Sequence, residues 1–168
     1  MTDVEGQAFK NILANWTAGI TVVSVAMNND WQAFTANSFA SVSMNPPLIC
    51  MNVANRIDSR LYIAQAGHFS ISILSEDQLE IGKRFAGFYD EQLENRFDGI
   101  ECETTAHGDP ILPDSMAWLS CTVEHMINLG ENTMFIGRVA DGGWSDEAKI
   151  PLLYHNRQWG KFVPTEDK

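Results

Sequence analysis

The alternation of apolar and polar positions changes period several times along the chain. Phe9, Ile12, Leu13 and Trp16 recur at helical spacing, which predicts an amphipathic helix over residues 5 to 16. Gly19 then opens Ile20-Thr21-Val22-Val23-Ser24-Val25-Ala26, a β-branched run that reads as a strand. Asn28-Asn29-Asp30 forms a turn, and a second strand from Trp31 to Asn37 completes a hairpin. Pro46-Pro47 blocks continuation of what precedes it and launches a strand over 48 to 53. Asp58 is placed to cap a short helix over 59 to 66, which Gly67 stops. Phe69, Ile71 and Ile73 alternate with Ser70, Ser72 and Leu74, a further strand. Ser75 and Gln78 have capping-box spacing and start a helix that carries Leu79, Ile81 and Phe85.

Residues 87 to 115 are polar and irregular, with Gly99, Gly108, Pro110 and Pro113 as punctuation. Ala117, Leu119, Cys121 and Val123 restore a strand period, Gly130 breaks it, and Met134 to Val139 resume it as a hairpin partner. Pro151-Leu152-Leu153-Tyr154 closes the set. Six or so strands with a few short helices and short turns favour a closed antiparallel barrel over a parallel α/β sheet. With no repeat, linker or low-complexity tract, residues 1 to 168 read as one mainly β domain.

Composition narrows the function classes. Hydrophobic residues make up 45% of the chain, enough for a folded core. The 22 acidic and 11 basic residues leave a net charge of −11, which argues against a general binder of nucleic acid or of anionic membranes. The acidic start lacks the features of a signal peptide, and no apolar run approaches a membrane span. The 3 cysteines are odd in number and far apart, so neither a disulfide framework nor a CxxC metal site is expected. Cys50 and Cys121 lie in apolar runs and read as buried, inert thiols. These features together predict a cytoplasmic protein.

The usual signatures of chemistry are missing. There is no GxGxxG, no phosphate-cradling lysine motif, no HExxH and no GxSxG, and His68, His107, His125 and His155 are scattered. The unusual stretch is Phe34 to Ser43, rich in small hydroxyl and amide side chains. No Lys or Arg occurs between Lys10 and Arg56, and Asp30 is the sole acid there. One reading is a strand edge whose Ser and Thr groups bond nearby backbone. The other is a neutral site that offers hydrogen bonds to a flat heteroaromatic ligand, with close backbone approach beside Ala36 and Ala40. Arg56, Arg60, Lys83 and Arg84 follow it, and with Asn55, Ser59 and the helix start at 59 they can hold a phosphate. The competing reading of these cations is solvated helix faces near Glu76, Asp77 and Glu80.

Thr35-Ala36-Asn37-Ser38-Phe39-Ala40-Ser41-Val42-Ser43, then Pro46-Pro47-Leu48, then Phe69 to Ser75 with Gln78 and Phe85-Ala86, form an ordered series. It continues through Arg96-Phe97, Gly108-x-Pro110, Ala117-Trp118-Leu119-x-Cys121, Phe135-Ile136-Gly137-Arg138-Val139 and Pro151 to Tyr154. In this series the chain resembles the flavin reductase family of small NAD(P)H:flavin oxidoreductases, over residues 8 to 160. The resemblance implies an FMN-binding split barrel, an antiparallel Greek-key β-barrel with peripheral helices that usually forms a homodimer. It implies FMN or FAD as flavin, NADH or NADPH as hydride donor, and a flavin-dependent monooxygenase that takes the reduced flavin.

By position, the resemblance assigns the flavin to Thr35, Ala36, Asn37, Ser38, Ser41, Val42 and Ser43. Asn52, Asn55, Arg56 and Ser59 are assigned the ribityl chain and phosphate, with Lys83, Arg84 and Phe85 contributing. Where the family often has Gly-Asp-His near the nicotinamide, this chain has Gly130-Glu131-Asn132. Asn132 can hydrogen-bond a carboxamide but carries no proton at neutral pH. Hydride transfer depends on stacking and closeness more than on a general acid. Two other readings stand beside the reductase: a flavin carrier or electron-transfer protein without efficient NAD(P)H oxidation, and a non-catalytic barrel for protein association.

Overall fold

A computed structural model describes residues 4 to 28 and 30 to 165. Helix α1 (Gly6–Ala14) precedes a two-residue β1 (Ala18–Gly19) and the hairpin of β2 (Thr21–Met27) and β3 (Asp30–Ala36). A second hairpin joins β4 (Ala40–Met44) to β5 (Pro47–Ala54), and α2 (Ser59–Ala66) crosses to β6 (His68–Ile73). A 3-10 turn (Glu76–Gln78) leads into α3 (Leu79–Phe85). The irregular middle holds only β7 (Glu103–Thr104) and β8 (Pro110–Ile111) among its described residues. The long pair β9 (Ala117–Leu129) and β10 (Asn132–Trp144) follows, and β11 (Leu152–His155) and β12 (Gln158–Lys161) end the set.

Seven strands form one antiparallel sheet in the order β3-β2-β6-β9-β10-β5-β4. Its hydrogen-bonded ladder ends at β3 on one side and β4 on the other, so hydrogen bonding leaves the expected barrel split. Packing draws the two sides together. Phe34 and Ala36 of β3 share one buried cluster with Ile49, Met51 and Val53 of β5, and Val23, Val25, Ile63, Phe69, Ile71, Cys121 and Phe135 complete it. The sheet therefore curls around a common apolar centre, as alternate side chains on a twisted antiparallel sheet can.

β2 is buried on both faces, which explains its unbroken β-branched run. Val23 and Val25 point into the barrel, while Val22 joins Leu74, Phe85, Phe97, Leu112 and Leu152 in a second cluster beneath α3 and the middle segment. Ser70 and Ser72 of β6 face the same way. The Ser70 hydroxyl donates to the Pro110 carbonyl at 2.6 Å, and the Leu112 amide donates to Ser72 Oγ at 3.0 Å. These two buried hydroxyls fasten the irregular middle to the sheet.

Several expectations are corrected. The Asp58 side chain makes no capping hydrogen bond, because its own backbone is already helical (φ −61°, ψ −36°). Gly67 does end α2, in the left-handed conformation at φ 75°. Ser75 and Gln78 form the expected capping box, in which Gln78 Oε1 accepts the Ser75 amide at 3.1 Å. The helical stripe on α1 is present, but no described residue covers it: α1 buries no residue, Phe9, Ile12 and Leu13 are 52%, 61% and 53% exposed, and Trp16, expected on the helix, lies past its end at Ala14 and is 77% exposed. Cys121 is fully buried, and burial first, then the Asp109 charge, pushes its thiol up to about 12. Cys50 is only half-buried, since it faces away from Ile49 and Met51 on the outer side of β5. No helix among the described residues is long and apolar enough to cross a membrane.

Candidate functional site

Residues 37 to 39 carry the chain from the β3 edge to the β4 edge. Ser38 fixes this crossing: its hydroxyl donates to the Asn52 carbonyl at 2.8 Å, and the Asn52 amide donates back to Ser38 Oγ at 3.2 Å. Asn37 and Ser41 are exposed beside it, as is Val42, where the β4–β5 register slips at a bulge. Ser43 is half-buried. The neutral stretch is thus partly a strand edge bonding local backbone and partly an open, uncharged surface.

The register extends this surface across the sheet. Asn52 lies opposite Met134 and Ala54 opposite Asn132, so all four project from one face of the β5–β10 ladder. Ile127 and Leu129 of β9 continue it, paired with Met134 and Asn132. The result is a mostly apolar strip with the carboxamides of Asn52 and Asn132 as its polar points.

Next to β3 a cleft of about 760 Å³ opens, within the roughly 300–1,000 Å³ span of small-molecule sites. Thr35, Arg56, Ser59, Phe85 and Arg96 are among its lining residues. Ser59 is buried at the first residue of α2, and Arg56 is exposed. Asp30, Asp58, Asp90 and Glu94 add negative charge. Asp30 accepts the Tyr62 hydroxyl at 3.0 Å, a bond that raises the phenol above its ordinary 10.0.

The structure brings Thr35, Arg56, Ser59 and Phe85 together and separates the rest of the assigned set. The Thr35 hydroxyl already donates to the Gly82 carbonyl at 2.7 Å, so it can only accept from a ligand. Ser38 is likewise spent as a donor. Ala36 belongs to the barrel core, and its carbonyl already accepts the Thr21 hydroxyl at 3.0 Å. Phe85 is 1% exposed and packs edge-on against Phe97, which makes it floor rather than contact surface.

Lys83 pairs with Glu80 at 2.8 Å, and Arg84 donates to the Asp98 carbonyl at 2.6 Å from a separate recess of about 330 Å³. Neither Lys83, Arg84 nor Arg60 lines the cleft, which corrects the idea of four gathered cations. Asn55 is a strap at the far end of β5: its Nδ2 donates to the Gly130 carbonyl at 3.1 Å and its Oδ1 accepts from Thr133 at 2.8 Å. Asn132 is exposed near the same turn.

Sequence reasoning gave no cleft role to Arg96. Its Nη1 donates to the carbonyls of Ala33 at 3.4 Å and Phe85 at 3.2 Å, and its other edge grips Asp90. The Arg96-Phe97 pair was visible as part of a motif, but its position across an irregular segment hid where it folds.

Comparison with known proteins decides the kinship. The flavin reductase like domain matches residues 13–162. The chain belongs to this family. The FMN reductase (NADH) SmoA of Agrobacterium fabrum is 30% identical over 93% of this chain and 86% of that protein. Among solved structures, the flavin reductase PheA2 superposes with a TM-score of 0.86 at 30% identity, covering 96% of this chain and 100% of that one. The nitrilotriacetate monooxygenase component B of Mycobacterium thermoresistibile superposes at 0.89 and 26% identity, covering 96% and 89%. The open-ended ladder described above is the split barrel of these flavin reductases.

Proposed function

We propose that the protein is an NAD(P)H:flavin oxidoreductase that reduces FMN or FAD and passes the reduced flavin to a partner monooxygenase. The observation that carries this reading is the placement of a neutral, hydrogen-bonding crossing beside a cleft that holds Arg56 and the buried Ser59. A flavin needs both: an uncharged, close-packed seat for its ring and a cationic place for its phosphate. Bound flavin supplies an N5 that accepts a hydride from nicotinamide C4.

The chain's own residues bind and orient. The 37 to 39 backbone and the exposed Asn37 and Ser41 face the ring, and the Ser38–Asn52 clamp keeps that backbone from drifting. Arg56 and Ser59 hold the phosphate at the start of α2, where amides and partial positive charge favour an anion. Asn132 offers its carboxamide to the nicotinamide, and Asn52, on the same sheet face, offers its own to the ribityl chain. Two aligned ring systems in contact need little further chemistry from the protein, so Asn132 serves without a proton to give.

The reading extends to a homodimer in the cytoplasm. The bare stripe of α1, with the exposed Met126, Ile127 and Leu129 on the β9–β10 arm, is more apolar surface than an isolated subunit needs. A second copy covers it.

The test is steady-state oxidation of NADH and NADPH with FMN, FAD and riboflavin. Acceleration by at least one nicotinamide with flavin present supports the reductase. Flavin binding without acceleration favours the carrier reading instead, whereas a large gain in NADH oxidation on Asn132→His, with flavin affinity unchanged, marks a naturally weakened reductase.

A further inference from the structure

We propose that Asp90 sets the choice between a flavin with one phosphate and a flavin dinucleotide, by occupying the Arg96 guanidinium that a second phosphate requires. This rests on reading the cleft as the phosphate end of the flavin site.

Two arginines line that cleft, and they differ in availability. Arg56 is exposed, next to the start of α2. Arg96 is committed. Its Nε donates to Asp90 Oδ1 at 2.7 Å and its Nη2 to Asp90 Oδ2 at 2.5 Å, while Nη1 donates to the Phe85 and Ala33 carbonyls at 3.2 and 3.4 Å. A guanidinium has five N–H donors in a fixed fork, so this arrangement leaves at most one for a ligand.

The local backbone is shaped around the pair. Gly87 has φ +88°, and a Cβ there would lie 3.0 Å from Asp90 Oδ2 and 3.2 Å from Arg96 Nη2. Hydrogen bonds from Arg96 also hold the Asp90 carboxyl below its ordinary 3.8. The remaining charges on the lining are Asp30, Asp58 and Glu94. A first phosphate therefore meets Arg56 and Ser59. A second one, on the Arg96 side of the cleft, meets a neutralised arginine and carboxylates.

The protein accordingly selects FMN over FAD. Asp90→Asn keeps the side-chain shape, removes the charge, and leaves Arg96 anchored by its two carbonyl bonds. Titration of the full chain with FMN, FAD and riboflavin, followed by flavin fluorescence, tests this. The wild type is expected to bind FMN more tightly than FAD. Since a half-exposed ion pair is the competitor, Asp90→Asn is expected to raise FAD affinity relative to FMN by roughly fivefold. Asp90→Ala moves the ratio in the same direction, and adding Arg96→Gln to Asp90→Asn removes the gain.

A wild-type preference for FAD, or a ratio that Asp90→Asn and Asp90→Ala leave unchanged, overturns the inference. Arg56→Gln tells the two levels apart. If it weakens FMN but not riboflavin while the Asp90 variants do nothing, the cleft reading stands and the Asp90 role falls. If it weakens neither selectively, the cleft is not the phosphate site and both fall.

Discussion

Ser38 and Asn52 hold each other by opposite ends of the hydrogen bond: one hydroxyl gives its proton to the Asn52 carbonyl and takes the Asn52 amide proton. This pairing joins residues 37 to 39 to β5 at the point where the sheet's two edges approach. It turns a split between strands into a rigid rim, and a flat ligand seated there meets fixed backbone.

Ser38→Ala breaks both bonds without removing bulk. Loss of an intramolecular hydrogen bond costs about 1 kcal/mol, so Tm is expected to fall by roughly 2–4 °C. Flavin affinity is expected to fall as well, because the crossing loosens. Ser41→Ala, at an exposed position on β4, leaves Tm in place. A thermal melt of the two variants checks the contrast.

Gly137 of β10 leaves room for Phe69 of β6. A Cβ at Gly137 would lie 2.6 Å from Phe69 Cζ, and Phe69 is fully buried with nowhere to retreat. Gly137→Ala is therefore expected to destabilise by about 1–3 kcal/mol. Gly160→Ala, with nothing within 4 Å of the added carbon, stays within roughly 0.5 kcal/mol of wild type. Urea unfolding measures both.

Glu124 and Arg138 face each other across β9 and β10 through two bonds of 2.6 Å. The Arg138 hydrogen bonds lower the Glu124 carboxyl from its ordinary 4.5. A depressed carboxylate contributes stability that is present above its unfolded value and is lost as pH falls through the folded one. Glu124→Gln is expected to lower the urea midpoint at neutral pH, and the gap to wild type is expected to close well below pH 4.5. A gap that persists unchanged in acid contradicts this assignment.

The proposed homodimer rests on the exposed apolar stripe of α1. Ile12→Glu with Leu13→Glu places two charges on that stripe without touching the barrel core. Light scattering after size exclusion is expected to show a dimer for the wild type and a monomer for the variant. A monomeric wild type removes this part of the reading.

Much of the architecture was legible in the sequence because burial is written in the period. Phe69, Ile71 and Ile73 announced β6, and the β-branched run from Ile20 announced β2, though not its burial on both faces. What escaped is what depends on distant partners. β12 carries Gln158, Trp159, Gly160 and Lys161 and owes its existence to pairing with β11 rather than to alternation. The length of β9 and β10 beyond the core was hidden for the same reason, since Met126 to Leu129 sit on an exposed arm.

The site was half legible. The absence of Lys and Arg from residue 11 to 55, with Asp30 the sole acid, pointed to the 34 to 43 segment, and Arg56 and Ser59 do line a cleft with Thr35. Spacing misplaced Lys83 and Arg84, because neighbours on a helix point about 100° apart and neither aims at β3. It missed Arg96, whose role comes from a fold that returns residue 96 to Ala33 and Phe85.

Every role given above to a residue of the site serves hydride transfer from a nicotinamide to a flavin. The most direct measurement is an anaerobic mix of NADH, and separately NADPH, with equimolar FMN and protein, following flavin absorbance in a stopped-flow instrument. At least one nicotinamide is expected to bleach the flavin far faster than in the protein-free mixture, with one flavin reduced for each nicotinamide oxidised. Bleaching no faster than the protein-free rate with both nicotinamides, in protein that binds FMN, would contradict it.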